Sequence, residues 1–139
     1  MGYRFVGIQG DDQAGFSVAS AGDIDGDGLA EVLVGAYRAD GGGGNSGEVY
    51  LIAGADLAAA DAADGTADGV IDLGFYSDPD FDTASGSSYR LIGTEGSDYA
   101  GEGVSGAGDV DGDGIADLIV GASWAGGGGS RSGEAYLIS

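Results

Sequence analysis

A chain of 139 residues with 24 Asp plus Glu, four Arg, and no Lys, Cys or His carries a formal charge of −20. That balance excludes a basic nucleic-acid face, disulfides, thiolate metal sites and imidazole catalysis. Hydrophobic residues make up 42%, too many for an acidic disordered chain, so the acids either solubilise a surface or collect cations.

In chain order, Met1–Gly10 (MGYRFVGIQG) lacks the basic segment and apolar core of a signal peptide. No apolar run reaches the roughly 20 residues of a membrane span, so no membrane insertion is expected. Arg4–Gly7 reads as a first strand and Phe16–Ala21 as a second, rich in small residues. DIDGDGLAEVLVGA at 23–36 is an acidic turn running into Val32–Val34, an apolar triplet suited to a strand buried on both faces. Gly41–Gly44 is a hairpin tip; it lacks the Lys-Ser/Thr of a phosphate loop. Val49–Ile52 is a fourth strand. Then LAAADAA at 57–63 suits a short helical turn, DGTADGVID at 64–72 is a second kind of acidic loop, and SDPDFD around 78–82 is a solvated loop. Strands are expected again at Arg90–Gly93, Glu102–Ala107, Leu118–Val120 and Ala135–Ile138, with Gly126–Gly129 as the second glycine tip.

The second series repeats the first. Residues 3–52 align with 89–138 without a gap, at an offset of 86 residues, and about 29 of the 50 positions are identical. The chain therefore divides into one repeat at 1–52, a connecting segment at 53–88 and a second repeat at 89–139. Four short strands per repeating unit are the signature of a β-propeller blade.

Each repeat places carboxylates at positions 1, 3, 5 and 9 of its acidic turn. These are Asp23, Asp25, Asp27 and Glu31 in the first copy, and Asp109, Asp111, Asp113 and Asp117 in the second. The carbonyls of Leu29 and Ile115, at position 7, complete a set of hard oxygen donors, and Gly26, Gly28, Gly112 and Gly114 let the loop bend. Such a set suits Ca²⁺, which accepts six to eight oxygens, better than Mg²⁺, which demands a stricter octahedron. Two like charges about 4 Å apart repel by roughly 4 kcal/mol at an effective dielectric near 20. Four converging carboxylates thus open the loop unless a cation sits among them. Position 12, a bidentate Glu in an EF-hand, is Val34 in one copy and Val120 in the other, so the loop lies between strands rather than helices. A fainter echo places Asp64, Thr66, Asp68 and Asp72 at the same spacing; an acidic loop or a third ion fits it.

DIDGDGLAEVLVGA and DVDGDGIADLIVGA resemble FG-GAP repeats, the blades of integrin-α-type β-propellers and of many bacterial surface proteins. The resemblance departs at Ala14-Gly15 and Ala100-Gly101, where the family has Phe-Gly, and at Gly35-Ala36-Tyr37 and Gly121-Ala122-Ser123, where it has Gly-Ala-Pro. It implies an all-β fold of two four-stranded blades per chain, about two Ca²⁺ per chain held in the hairpins between the first two strands, and an extracellular or cell-surface setting. Two blades cannot close a ring, so the reading is completion by identical chains, three for six blades or four for eight. In this scheme Arg90–Gly93 finishes the first blade, and Arg4–Gly7 of another molecule finishes the second. The alternative is a piece of a longer array. The function read from this is a calcium-binding structural or adhesive module, not an enzyme, with a protein or glycan ligand; the aromatics Tyr37, Tyr76, Tyr99 and Trp124 offer stacking surfaces for a lectin-like variant.

Overall fold

The computed structural model describes residues 2–77 and 87–139. Nine strands and one short helix follow in order: β1 (Arg4–Val6), β2 (Ser17–Gly22), β3 (Glu31–Ala36), β4 (Glu48–Ile52), α1 (Leu57–Asp61), β5 (Val70–Asp72), β6 (Tyr89–Ile92), β7 (Ala100–Gly108), β8 (Asp117–Ala122) and β9 (Glu134–Ile138). The fold is all-β, and the helical turn falls within LAAADAA as the sequence predicts. The loop expected at 78–82 lies outside the described residues.

The first sheet has the order β2-β3-β4-β6, antiparallel throughout. Its fourth strand comes from the start of the second repeat, with Tyr50 opposite Arg90 and Val49 opposite Leu91. Arg90 thereby reaches Glu48, its Nη1 donating to Oε1 at 3.2 Å, while the Tyr50 hydroxyl donates to the other carboxylate oxygen. Burial and that acceptor push the Tyr50 hydroxyl well above its usual range. With neighbours on both sides, β3 and β4 bury both faces, which is why their side chains run apolar without alternation.

From the sequence, the second blade takes its fourth strand from another molecule, so one chain by itself supplies three strands there; the pairing of β1 with β5 is what the sequence does not predict. The second sheet has three strands, β7-β8-β9. The strand that resembles β6, namely β1, pairs in parallel with β5 of the connecting segment, Phe5 opposite Ile71. The reason is connectivity. Residues 7–16 tie β1 to the start of β2, so β1 stays beside the first sheet, and Phe5 packs on the face carrying Val34, Tyr50 and Ile52. Leu57, Leu73 and Tyr76 cover the same face. The opposite face, with Leu33, Val49 and Leu51, packs against Leu118 and Val120 of the second sheet. The two sheets meet closely enough that Ser17 Oγ donates to the Gly101 carbonyl at 2.7 Å.

Near-identical strands consequently live in different surroundings. EVYLI in β4 is buried throughout, whereas EAYLI in β9 leaves Tyr136 42% and Leu137 50% exposed. Composition does not separate them; a missing outer neighbour does.

Candidate metal centre

The acidic turns fall where β2 passes to β3 and β7 to β8, at one end of each sheet. Gly26 and Gly28 take φ of 77° and 88°, and Gly112 and Gly114 take 83° and 93°, the left-handed region that a Cβ disfavours. Backbone amides then lace the carboxylates into place. Gly26 and Gly28 donate to the two oxygens of Asp23 at 2.8 and 3.0 Å. Asp27 donates to Asp25 Oδ1 at 3.0 Å and Leu29 to Asp27 Oδ1 at 2.7 Å. The second hairpin repeats the pattern on Asp109, Asp111 and Asp113. Asp25 and Asp27 each keep a second oxygen outside these turns, the chemistry a hard cation needs.

Position 9 differs from the rest of the loop in being inside the protein. Glu31 is fully buried, and its Oε2 accepts from the Ile24 amide at 2.7 Å. Its Oε1 is buried without a hydrogen bond of good geometry, and beside Ile24 the Gly54 amide is the backbone group that steadies the carboxylate. Burial is the main reason its carboxyl titrates above the usual range, and the charges of Asp25 and Asp23 add to it. Asp117 holds the equivalent place, 2% exposed, accepting from the Val110 amide at 2.6 Å. A carboxylate buried beside other acids is costly to keep charged, and a cation at the loop would offset that cost. The donor set therefore fits Ca²⁺.

Ligand atoms of Asp23, Asp25 and Asp27 lie within 4.8 Å of one another, as do those of Asp109, Asp111 and Asp117. Glu31 stands outside the first group, its Oε2 accepting from the Ile24 amide between the first two acids. Asp113 stands in its turn through the Ile115 amide without joining the second group. Leu29 and Ile115 expose apolar side chains, so the only oxygen that position 7 offers is its backbone carbonyl. The loop at 64–72 behaves otherwise. Asp64 accepts from the Thr66 amide and hydroxyl, which hold its carboxyl below the usual range. Asp68 and Asp72 accept from Val70 and Gly74, and among the described residues these acids form no metal-sized group.

Sequence reasoning missed the buried acids that brace the connections. Asp12 and Asp98 accept from the amides of Gln9 and Glu95, and Asp56 accepts from Ser88 Oγ at 2.7 Å. For the first two the 86-residue spacing was the available signal; for Asp56 there was none.

At the far end of the strands from the acidic turns lies a row of rings. Phe16 and Tyr37 are 4.5 Å apart by centroid, Tyr37 and Tyr99 5.7 Å, and Tyr99 and Trp124 5.5 Å. Arg131 stacks over Trp124 at 4.4 Å. Of the four aromatics singled out for stacking, three join this row. Tyr76 instead packs on Tyr50 inside the fold.

Among the comparisons with known proteins, the model of the FG-GAP repeat family matches residues 14–52 and 100–138. No curated protein matches the chain.

Proposed function

We propose, from the premise that the chain belongs to the FG-GAP repeat family, that it is a calcium-binding, non-catalytic structural module with propeller-like blades and an adhesive face. Each hairpin holds one Ca²⁺, about two per chain. Asp23, Asp25, Asp27 and Glu31 with the Leu29 carbonyl form one site; Asp109, Asp111, Asp113 and Asp117 with the Ile115 carbonyl form the other. The ion supplies charge neutralisation and fixes the turn between strands. The carboxylates best placed for acid–base work are thus engaged in coordination, which argues for a scaffold rather than a hydrolase. Open loops of this kind bind with modest affinity, so millimolar extracellular calcium is the fitting environment, at a cell surface or in secretion.

The observation that carries this reading is the convergence of three carboxylates in each hairpin, Asp23, Asp25 and Asp27 in one and Asp109, Asp111 and Asp117 in the other. Titration calorimetry on chelator-stripped protein tests it, together with melting in calcium and in EDTA. The expected result is about two ions per chain and a higher Tm with calcium. No heat and an unchanged melt would remove the proposal.

The aromatic row favours a second reading of the adhesive face, a glycan ligand stacked on Tyr37, Tyr99 and Trp124. Binding on a glycan array that is lost in Trp124→Ala supports it, and an array without hits removes it.

A further inference from the structure

The chain contains one finished joint between repeats and both unfinished halves of a second. In the finished joint, β6 lies on β4, and residues 93–100 run over the turn at 43–47. There Gly93 donates to the Gly47 carbonyl at 2.9 Å, Ser97 to Gly44 at 2.8 Å and Ala100 to Ser46 at 3.0 Å. Arg90 closes on Glu48, and Gly35 lies so near the Gly101 carbonyl that a Cβ there would sit 2.2 Å from it.

The unfinished halves carry the same groups 86 residues away. Tyr3-Arg4-Phe5-Val6-Gly7 parallels Tyr89-Arg90-Leu91-Ile92-Gly93. Glu134 and Tyr136 are already joined, hydroxyl to carboxylate, as Glu48 and Tyr50 are. Among the described residues the ion pair is Arg90–Glu48, and no arginine pairs with Glu134. Arg4, the counterpart of Arg90, is exposed. β9 presents an open edge with Tyr136, Leu137 and Ile138 uncovered. Gly121, the counterpart of Gly35, has room for a side chain: a Cβ there would make ordinary contact, 3.7 Å from the Gly103 carbonyl. Nothing within the chain calls for a glycine at 121, but a neighbour packed as the second sheet packs on the first would.

We propose that β9 is an assembly edge whose occupant is β1 of a second copy of this chain. The register follows from β6 on β4: Arg4 opposite Tyr136, Phe5 opposite Ala135, and Val6 opposite Glu134. Arg4 of one copy pairs with Glu134 of the next. Charge complementarity selects the occupant, since the edge offers a preformed carboxylate–phenol pair and the matching arginine lies in a segment of the same sequence. β1 gives up a three-residue parallel ladder with two of its side chains exposed, and Leu73 and Tyr76 of the connecting segment must move off the same face with Phe5. The outer face of the first sheet then receives Ile119 and Leu137 of the neighbouring copy where Phe5, Leu73 and Tyr76 now sit. The contact is head-to-tail; at the rotation of a six- or eight-bladed propeller, three or four chains close it into a ring, and any other rotation gives an open filament. It does not depend on the metal reading, and failure of either leaves the other standing.

The test is native mass spectrometry of the chain and four variants. Wild type is expected at three or four times the 13.4 kDa chain mass. Arg4→Glu and Glu134→Arg should each give monomers, and the double variant should reassemble because the pair is restored with reversed sign. A Phe5→Cys, Ile71→Cys pair, in a chain with no other cysteine, locks β1 onto β5. That protein should be monomeric when oxidised and assemble on reduction. The proposal is overturned by a wild-type monomer, by assemblies that survive either charge reversal alone, or by assembly of the oxidised lock.

Discussion

Replacing Glu31 by Gln should push stability in opposite directions with and without calcium. In the metal-free protein the wild-type carboxylate is buried, has one oxygen without a hydrogen bond of good geometry, and feels Asp23 and Asp25. Gln keeps the shape and the acceptor for the Ile24 amide while removing the charge. A buried unsatisfied polar atom costs about 1–3 kcal/mol, and more when charged. The chelated variant should therefore be more stable than wild type by about 1–2 kcal/mol, a Tm rise of roughly 3–8 °C at this size. With calcium the order reverses. A ligand at a hundred times its Kd stabilises by about 2.7 kcal/mol per site, and the variant forgoes this at the first hairpin while retaining the second. A carboxyl titrating above its unfolded range destabilises as pH rises through that interval. The chelated difference should hence be largest near neutrality and fade below the ordinary glutamate value of 4.5. Differential scanning calorimetry of both proteins, in EDTA and in calcium, decides the matter. If the variant is less stable in EDTA and gains as much from calcium as wild type does, Glu31 is not a ligand held in readiness, and the reasoning fails.

Two further substitutions probe the packing on which the hairpins stand. Gly35→Ala would place a methyl 2.2 Å from both the Gly101 carbonyl and Ser17 Oγ; forcing the sheets apart should cost about 2 kcal/mol or more in urea unfolding, whereas Gly121→Ala in the monomer should stay within about 0.5 kcal/mol. Arg90→Ala leaves the buried Glu48 carboxylate with the Tyr50 hydroxyl alone. With the arginine side chain 23% exposed, the expected loss is about 2 kcal/mol, read as a fall in Tm.

The acidic hairpins and most strands could be read from the chain because what defines them is local. Asp23, Asp25, Asp27 and their glycines lie within six residues, and the turn forms from hydrogen bonds two to five residues apart. The duplication then made a long-range pairing legible, since the tail of one repeat had to meet the head of the next, and β6 lies on β4 as expected. The partnership of β1 with β5 was not legible. Three residues, with no alternation to distinguish them, found the nearest uncovered apolar face, and only the three-dimensional path of residues 7–16 decides which face that is. Glu31 was legible as a ligand type but not as a buried one. Its depth is matched by Asp117 in the sheet packed on one face, so it comes from the hairpin itself, whose Ile24 or Val110 amide closes over position 9.

The rings and the acids stand at opposite ends of the strands. Trp124, the sole tryptophan, follows β8 just past Ala122, while Asp117 opens that strand. Six residues at about 3.3 Å each put some 20 Å between the indole and the acidic turn. Its emission therefore serves as a remote gauge: a spectral change on adding calcium registers tightening along the whole of β8, beyond the reach of direct quenching by the metal.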